Sequence, residues 1–252
     1  SFIKVIAKIE RHEAITNMEE IIRASDAVMV ARGDLGVEMP AEQVPLYQKK
    51  IIHLCNLYGK PVIVATQILN SMVTEPRATR AEISDAATAI FDHADAFMLT
   101  NETAVGKYPV ESVHTLSKVA GAVENELKNH QHLLQFKKED DIAITNATCH
   151  NASKLANDIK ARFIVAISKS GFTVREIARY RPFIPTIVFT PNLNVARQMS
   201  IVWGVRHTFV QFIHLNNPLP QIRKSLIQNG LVKEGDEIVV CGRRVSIGAP
   251  VV

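Results

Sequence analysis

Short apolar, β-branched runs alternate along the chain with longer stretches whose apolar residues recur at helical spacing. That pattern predicts repeated strand and helix units around parallel sheets. In the first part the runs are Lys4 to Ile9, Ala27 to Ala31, Pro61 to Ala65 and Ala96 to Leu99. Each gives way to polar residues: Lys8 and Glu10, then Arg32, Gly33 and Asp34, then Thr66 and Gln67, then Thr100, Asn101 and Glu102. Ligands of parallel α/β folds gather at the carboxyl ends of strands, so these turns are where chemistry is expected. The second part repeats the alternation. A helix near Ala143 to Ile159 is followed by a strand at Phe163 to Ile167, a helix at Thr173 to Tyr180, a strand at Thr186 to Phe189 and a helix at Asn194 to Ile201. A strand at Val205 to Val210, a helix at Pro218 to Asn229 and a strand at Glu237 to Cys241 complete it. Between the two parts lies the charged stretch "KNHQHLLQFKKEDD", which reads as a linker.

The expected organisation is therefore a first domain at 1–127, a linker at 128–141 and a second α/β domain at 142–252. Four βα units make only an open half-sheet, because a closed (β/α)8 barrel takes about 250 residues. The fold class is α/β: half of a TIM-type barrel followed by a three-layer α/β/α domain.

Composition narrows the function. With 47% hydrophobic and 21% charged residues among 252, the chain has the make-up of a globular protein. Lys plus Arg 29 against Asp plus Glu 25 leaves +4, and no basic run is interleaved with aromatics, which argues against nucleic acid as a partner. No apolar run approaches the roughly 20 residues of a membrane span, and no leader pattern opens the chain, so a cytoplasmic protein with no membrane partner is expected. Cys55, Cys149 and Cys241 are odd in number, far apart and without a C-x-x-C pair, so free, buried thiols are expected rather than a disulfide framework or a zinc site.

Strand side chains alternate faces, so Lys8 and Glu10 point to the same side. The second strand ends in "ARGDLG", which brings Asp34 to the same level beside Glu10. Two carboxylates on neighbouring strand ends suit a hard divalent cation, Mg²⁺ or Mn²⁺, and Lys8 beside them suits a phosphoryl group. A simple ion pair on a barrel rim explains Lys8 and Glu10 equally well. Gly33 and Gly36 would let backbone approach a ligand, or merely form a tight turn. Thr66 offers a hydroxyl at the same mouth. Arg77 and Arg80 read as a subunit contact or surface salt bridge. In the second part, Ser168, Lys169, Ser170, Gly171 and Thr173 form either a phosphate nest or a capped βα turn.

The segments "KVIAKIE", "VARGDLGVEMPAEQV", "GKPVIVATQILNSM", "EPRATRAEISDAA", "MLTNETAVGKYPVESV", "SKSGFTVREIARYRP" and "VWGV" together resemble the pyruvate kinase family over nearly the whole chain. The resemblance implies phosphoryl transfer from phosphoenolpyruvate to ADP, giving pyruvate and ATP, with Mg²⁺ (or Mn²⁺) and usually K⁺, whose usual ligands are not in this chain. It implies that Lys8 stabilises the transferring phosphoryl group and that Glu10 and Asp34 hold the metal. Gly33 and Asp34 would meet the substrate through backbone, and Thr66 would lie beside the enolate. Ser168 to Thr173 would match an effector pocket for a sugar phosphate, and a homo-oligomer, tetrameric in the family, is implied. Thr100 and Asn101 depart from the family's usual Ser and Gly, and Phe172 from a basic or small polar residue. The family's N-terminal half barrel and lid domain have no counterpart here, so the chain alone is expected to turn over little. Two other readings stand beside this one: a non-catalytic effector-binding or assembly module, and a metal-dependent 2-keto acid aldolase or lyase.

Overall fold

The computed structural model describes residues 3–129, 133–134, 144–214 and 216–242. It divides into two units, Ser1–His132 and Leu133–Val252. Of the expected linker, 130–132 and 135–141 lie outside the described residues, while helix Pro109–Asn129 runs into its first two positions.

In the first unit strands β1 (Ile6–Ile9), β2 (Ala27–Ala31), β3 (Val62–Ala65) and β4 (Ala96–Met98) lie in that order, all parallel. Their register aligns Ile9, Val30, Val64 and Phe97 on one face. That face packs with Ile22, Ile51, Ile52, Cys55, Ala86, Ala89, Val119 and Val123 from helices Met18–Ala24, Val44–Leu57, Arg80–Phe91 and Pro109–Asn129. A fully buried Ile or Val contributes about 1.5–3 kcal/mol, so this layer, more than strand propensity, holds strands of only three to five residues. The opposite face aligns Lys8, Met29, Ile63 and Ala96. β1 begins two residues later than the pattern predicts, because Asp26 accepts from the Lys4 ammonium at 2.8 Å and from the Val5 N–H at 3.0 Å.

The largest local departure follows β2. "RGDLGVE" is not a strand end but helix Arg32–Glu38, with Asp34 in its first turn. Gly33 and Gly36 are helical, so the tight-turn explanation fails for both.

In the second unit β5 (Phe163–Ile167), β6 (Thr186–Thr190), β7 (Val205–Val210) and β8 (Ile238–Cys241) form a parallel sheet ordered β7-β6-β5-β8. Ile164, Ala166 and Val188 pack on one face with Cys149 and Ala156 of helix Ile144–Asp158 and with Val174 and Ile177 of helix Phe172–Ala178. Phe163, Val165, Ile187 and Phe189 pack on the other with Ile222 and Leu226 of helix Leu219–Gln228. Two helix layers thus enclose the sheet, the three-layer arrangement expected. Among the described residues no helix is long and apolar enough to cross a membrane.

Candidate active site

Period-2 alternation carries Lys8 off the buried face of β1, and Glu10 follows just past the strand. Helix Arg32–Glu38 supplies Asp34. The Lys8 ammonium donates to Asp34 Oδ2 at 2.8 Å and pairs with Glu10 Oε2, while the Glu10 carboxyl lies within hydrogen-bonding reach of Asp34. All three are partly open to solvent, with side-chain exposures of 47% for Lys8, 53% for Asp34 and 32% for Glu10. The hydrogen bond from Lys8 holds Asp34 below the usual carboxylate range, and the bonds Lys8 makes to Asp34 and Glu10 raise its own value. At neutral pH the cluster therefore holds an ammonium beside an ionised Asp34. Two carboxylates that close on one cation have oxygens placed to share it, and an all-oxygen donor pair suits Mg²⁺ or Mn²⁺. Among the described residues no third His, Cys, Asp or Glu joins them, so water and substrate oxygens would complete the shell. A 420 Å³ depression opens beside the cluster, lined by Lys8, Glu10, Arg11 and Glu13 among others.

Thr66 reaches this corner through Gly33, whose N–H donates to Thr66 Oγ1 at 2.7 Å. Gly33 therefore holds Thr66 in this structure, its N–H engaged rather than open to a ligand. A Cβ on Gly33 would come within 3.3 Å of that hydroxyl oxygen, which explains the glycine better than turn geometry does.

Thr66 and Gln67 both have positive φ, 65° and 52°, an unfavourable conformation for a β-branched residue that persists only where surroundings impose it. One ionisable side chain clasps the pair directly, and two more hold the segment that follows. Arg32, 8% exposed, donates to the Thr66 carbonyl at 3.1 and 3.3 Å and to the Gln67 carbonyl at 2.8 Å, and pairs with Asp85 at 2.5 Å. Glu102, 1% exposed, accepts from the N–H groups of Leu69 at 3.0 Å and Thr100 at 2.8 Å. Glu82 accepts from the N–H and hydroxyl of Ser71 while closing a capping box with Thr79. Sequence reasoning missed all three as positioning residues. The signal was present for Glu82, since T-x-x-E announces a capping box, but Arg32 and Glu102 act on backbone groups more than thirty residues away.

Burial pushes the Glu102 carboxyl up, yet its own N–H and those of Leu69 and Thr100 outweigh this and hold it below its ordinary value. Glu102→Gln, which keeps one acceptor oxygen, is expected to lower stability by about 1–3 kcal/mol in urea unfolding. Because the folded value is depressed, the contribution is present above the unfolded value of about 4.3 and lost as pH falls through the folded one. The gap between wild type and variant should narrow below about pH 4, and a pH-independent gap would assign the loss to packing instead.

In the second unit the turn after β5 differs from the Ser- or Thr-capped turn expected as one alternative. Gly171, at φ 76°, is the helix N-cap, and no Ser or Thr side chain caps it. The Ser168 N–H donates to the Phe189 carbonyl and that of Phe172 to Ser170 Oγ, so neither is open to an anion. Ser168, Lys169, Ser170 and Thr173 nevertheless line, with Phe172, a cavity of 1110 Å³. Gly171 does not line it. Arg77 and Arg80 are exposed.

Two family models match the chain: "Pyruvate kinase, barrel domain" over residues 1–113 and "Pyruvate kinase, alpha/beta domain" over 146–248. The chain is 45% identical over 239 residues to the pyruvate kinase of Geobacillus stearothermophilus, covering 94% of itself and 41% of that protein. It is 42% identical over 240 residues to the pyruvate kinase of Clostridium acetobutylicum, covering 94% of itself and 50% of that protein. The crystal structure of a pyruvate kinase from Cryptosporidium parvum superposes with a TM-score of 0.86 at 35% identity, over 94% of this chain and 49% of that one. The chain thus spans half or less of the length of these relatives.

Proposed function

The chain belongs to the pyruvate kinase family, and from that premise we propose that it carries the metal-holding and phosphoryl-facing corner of an enzyme that moves a phosphoryl group between phosphoenolpyruvate and ADP in the cytoplasm. The observation that carries this reading is the convergence of Glu10 and Asp34 on one cation, with Thr66 tied to the same turn by Gly33.

Phosphoryl transfer asks little covalent chemistry of a protein and depends on position and charge. Lys8, raised in pKa and so cationic at neutral pH, would oppose the negative charge that spreads over the transferring oxygens. Glu10 and Asp34 would hold Mg²⁺ or Mn²⁺, which when bound supplies further neutralisation of phosphate charge. Thr66 Oγ1 accepts from the Gly33 N–H, so its own proton is directed to another partner, and we place the enolate carbon there. The reading is tested by following pyruvate formation in the protein containing this chain, with ADP, phosphoenolpyruvate and Mg²⁺. Mn²⁺ titration read by electron paramagnetic resonance tests the metal separately. Formation that needs both substrates, together with Mn²⁺ binding lost in Glu10→Gln and Asp34→Asn, is expected. Absence of pyruvate would overturn it.

The 1110 Å³ cavity favours a second role, in which the second unit takes an anionic effector at Ser168, Lys169, Ser170 and Thr173. Calorimetry with fructose 1,6-bisphosphate checks it, and loss of the heat in Lys169→Ala is expected.

A further inference from the structure

Two of the three cysteines, distant in sequence, lie against each other in the second unit. Cys149 belongs to helix Ile144–Asp158 and Cys241 ends β8; both are buried in one apolar cluster. The two thiols lie within interacting range of each other, both line the 1110 Å³ cavity, and the Cys149 S–H also reaches the Thr173 carbonyl at 3.9 Å. Cys55 offers the contrast. It too is buried, but it sits in the core of the first unit, the ordinary place for an inert thiol that packs as a small apolar group. The pair brings two sulfurs together at the wall of a cavity. The neighbouring Cys241 and burial both push the Cys149 thiol up, while Cys149 lowers Cys241 against the opposing effect of burial.

From this geometry we propose that Cys149 and Cys241 form a reversible disulfide, made when hydrogen peroxide reaches Cys241 through the cavity. The Cys241 sulfur attacks one peroxide oxygen, the O–O bond breaks, and the departing hydroxide takes the thiol proton as water, leaving a sulfenic acid. The Cys149 sulfur then attacks the sulfenic sulfur, the S–S bond forms, and the expelled hydroxide leaves with the Cys149 proton as a second water. Two thiols are oxidised by two electrons and one peroxide is reduced to two waters; a dithiol reverses the bond by exchange. In a reducing compartment such a bond is transient and senses oxidant rather than stapling the fold. It would tie helix Ile144–Asp158 to the end of β8 across the cavity wall, and it stands independently of any phosphoryl transfer.

The experiment is a thiol map of the intact, reduced protein after brief exposure to graded hydrogen peroxide, with alkylation in denaturant before mass spectrometry. The expected result is loss of two hydrogens, one cross-linked peptide pair carrying Cys149 and Cys241, full alkylation of Cys55, and reversal by dithiothreitol. In Cys149→Ser the cross-link should be replaced by a dimedone-trapped sulfenic acid on Cys241. Three alkylated cysteines at peroxide concentrations that oxidise other thiol pairs would overturn the proposal. So would oxygen addition at Cys149 or Cys241 without the cross-link, or a bond that includes Cys55. The wild-type map decides the matter whether or not the variant folds.

Discussion

Lys8→Met is expected to lower kcat for phosphoryl transfer by about 10³-fold in the protein containing this chain, because it deletes a fixed positive charge where charge develops in the transition state. The side chain is about half exposed and belongs to no core cluster, so folding should change little. The loss should therefore appear in kcat with unfolding curves superimposable on wild type. Lys8→Arg should recover only part of the rate, since a planar guanidinium cannot take the position of a compact ammonium between Glu10 and Asp34. Removal of Lys8 also takes away the hydrogen bond that most depresses Asp34, so the pH at which Asp34 gains a proton should rise, and Mn²⁺ binding should weaken at acidic pH more than in wild type. A variant that keeps a tenth or more of the wild-type kcat would leave Lys8 as a rim ion pair without a part in the chemistry.

Arg32→Met should act on both stability and rate. The guanidinium is buried and donates to two carbonyls that no other described donor reaches, besides pairing with Asp85. Methionine fills similar volume but leaves those carbonyls unpaired, a loss of about 2–4 kcal/mol in urea unfolding. Arg32→Lys should recover less than half, because one ammonium cannot span both carbonyls and the carboxylate as the five-donor fork does. With its clasp gone, the left-handed pair Thr66 and Gln67 is free to relax, and the Thr66 hydroxyl moves with it. A displacement near 1 Å at a reacting group costs about 10²-fold in rate, so kcat should fall even at temperatures where the variant remains folded. A variant within 0.5 kcal/mol of wild type, about the scatter of surface changes, would show the clasp to be dispensable.

The two sheets were legible because parallel strands buried on both faces read as unbroken apolar runs, "AVMVA" and "FIVAI" among them, and tertiary packing moved their ends by no more than two residues. The pairing of Lys8 with Glu10 and Asp34 was legible from strand periodicity, although the reason assigned to Asp34 was not: two glycines in "RGDLG" argue against a helix by propensity, and packing overrode them. Arg32 escaped notice because its partners are main-chain oxygens, which every residue has and no motif marks. Glu102 escaped for the same reason. Cys149 and Cys241 escaped because sheet order sets β8 next to β5, so that the last strand meets the first helix of the unit, a neighbourhood that spacing along the chain does not reveal.

The turn that follows β3 carries one more implication. Arg32, Glu82 and Glu102 already hold it in a single shape, all from helices of the same unit. Freezing a residue of backbone costs about 1–2 kcal/mol, and here that conformational entropy is lost when the protein folds. A molecule arriving at this rim meets a preorganised surface, so differences in affinity among phosphorylated acids should follow the contacts each one makes, with little heat or slowness from an ordering loop.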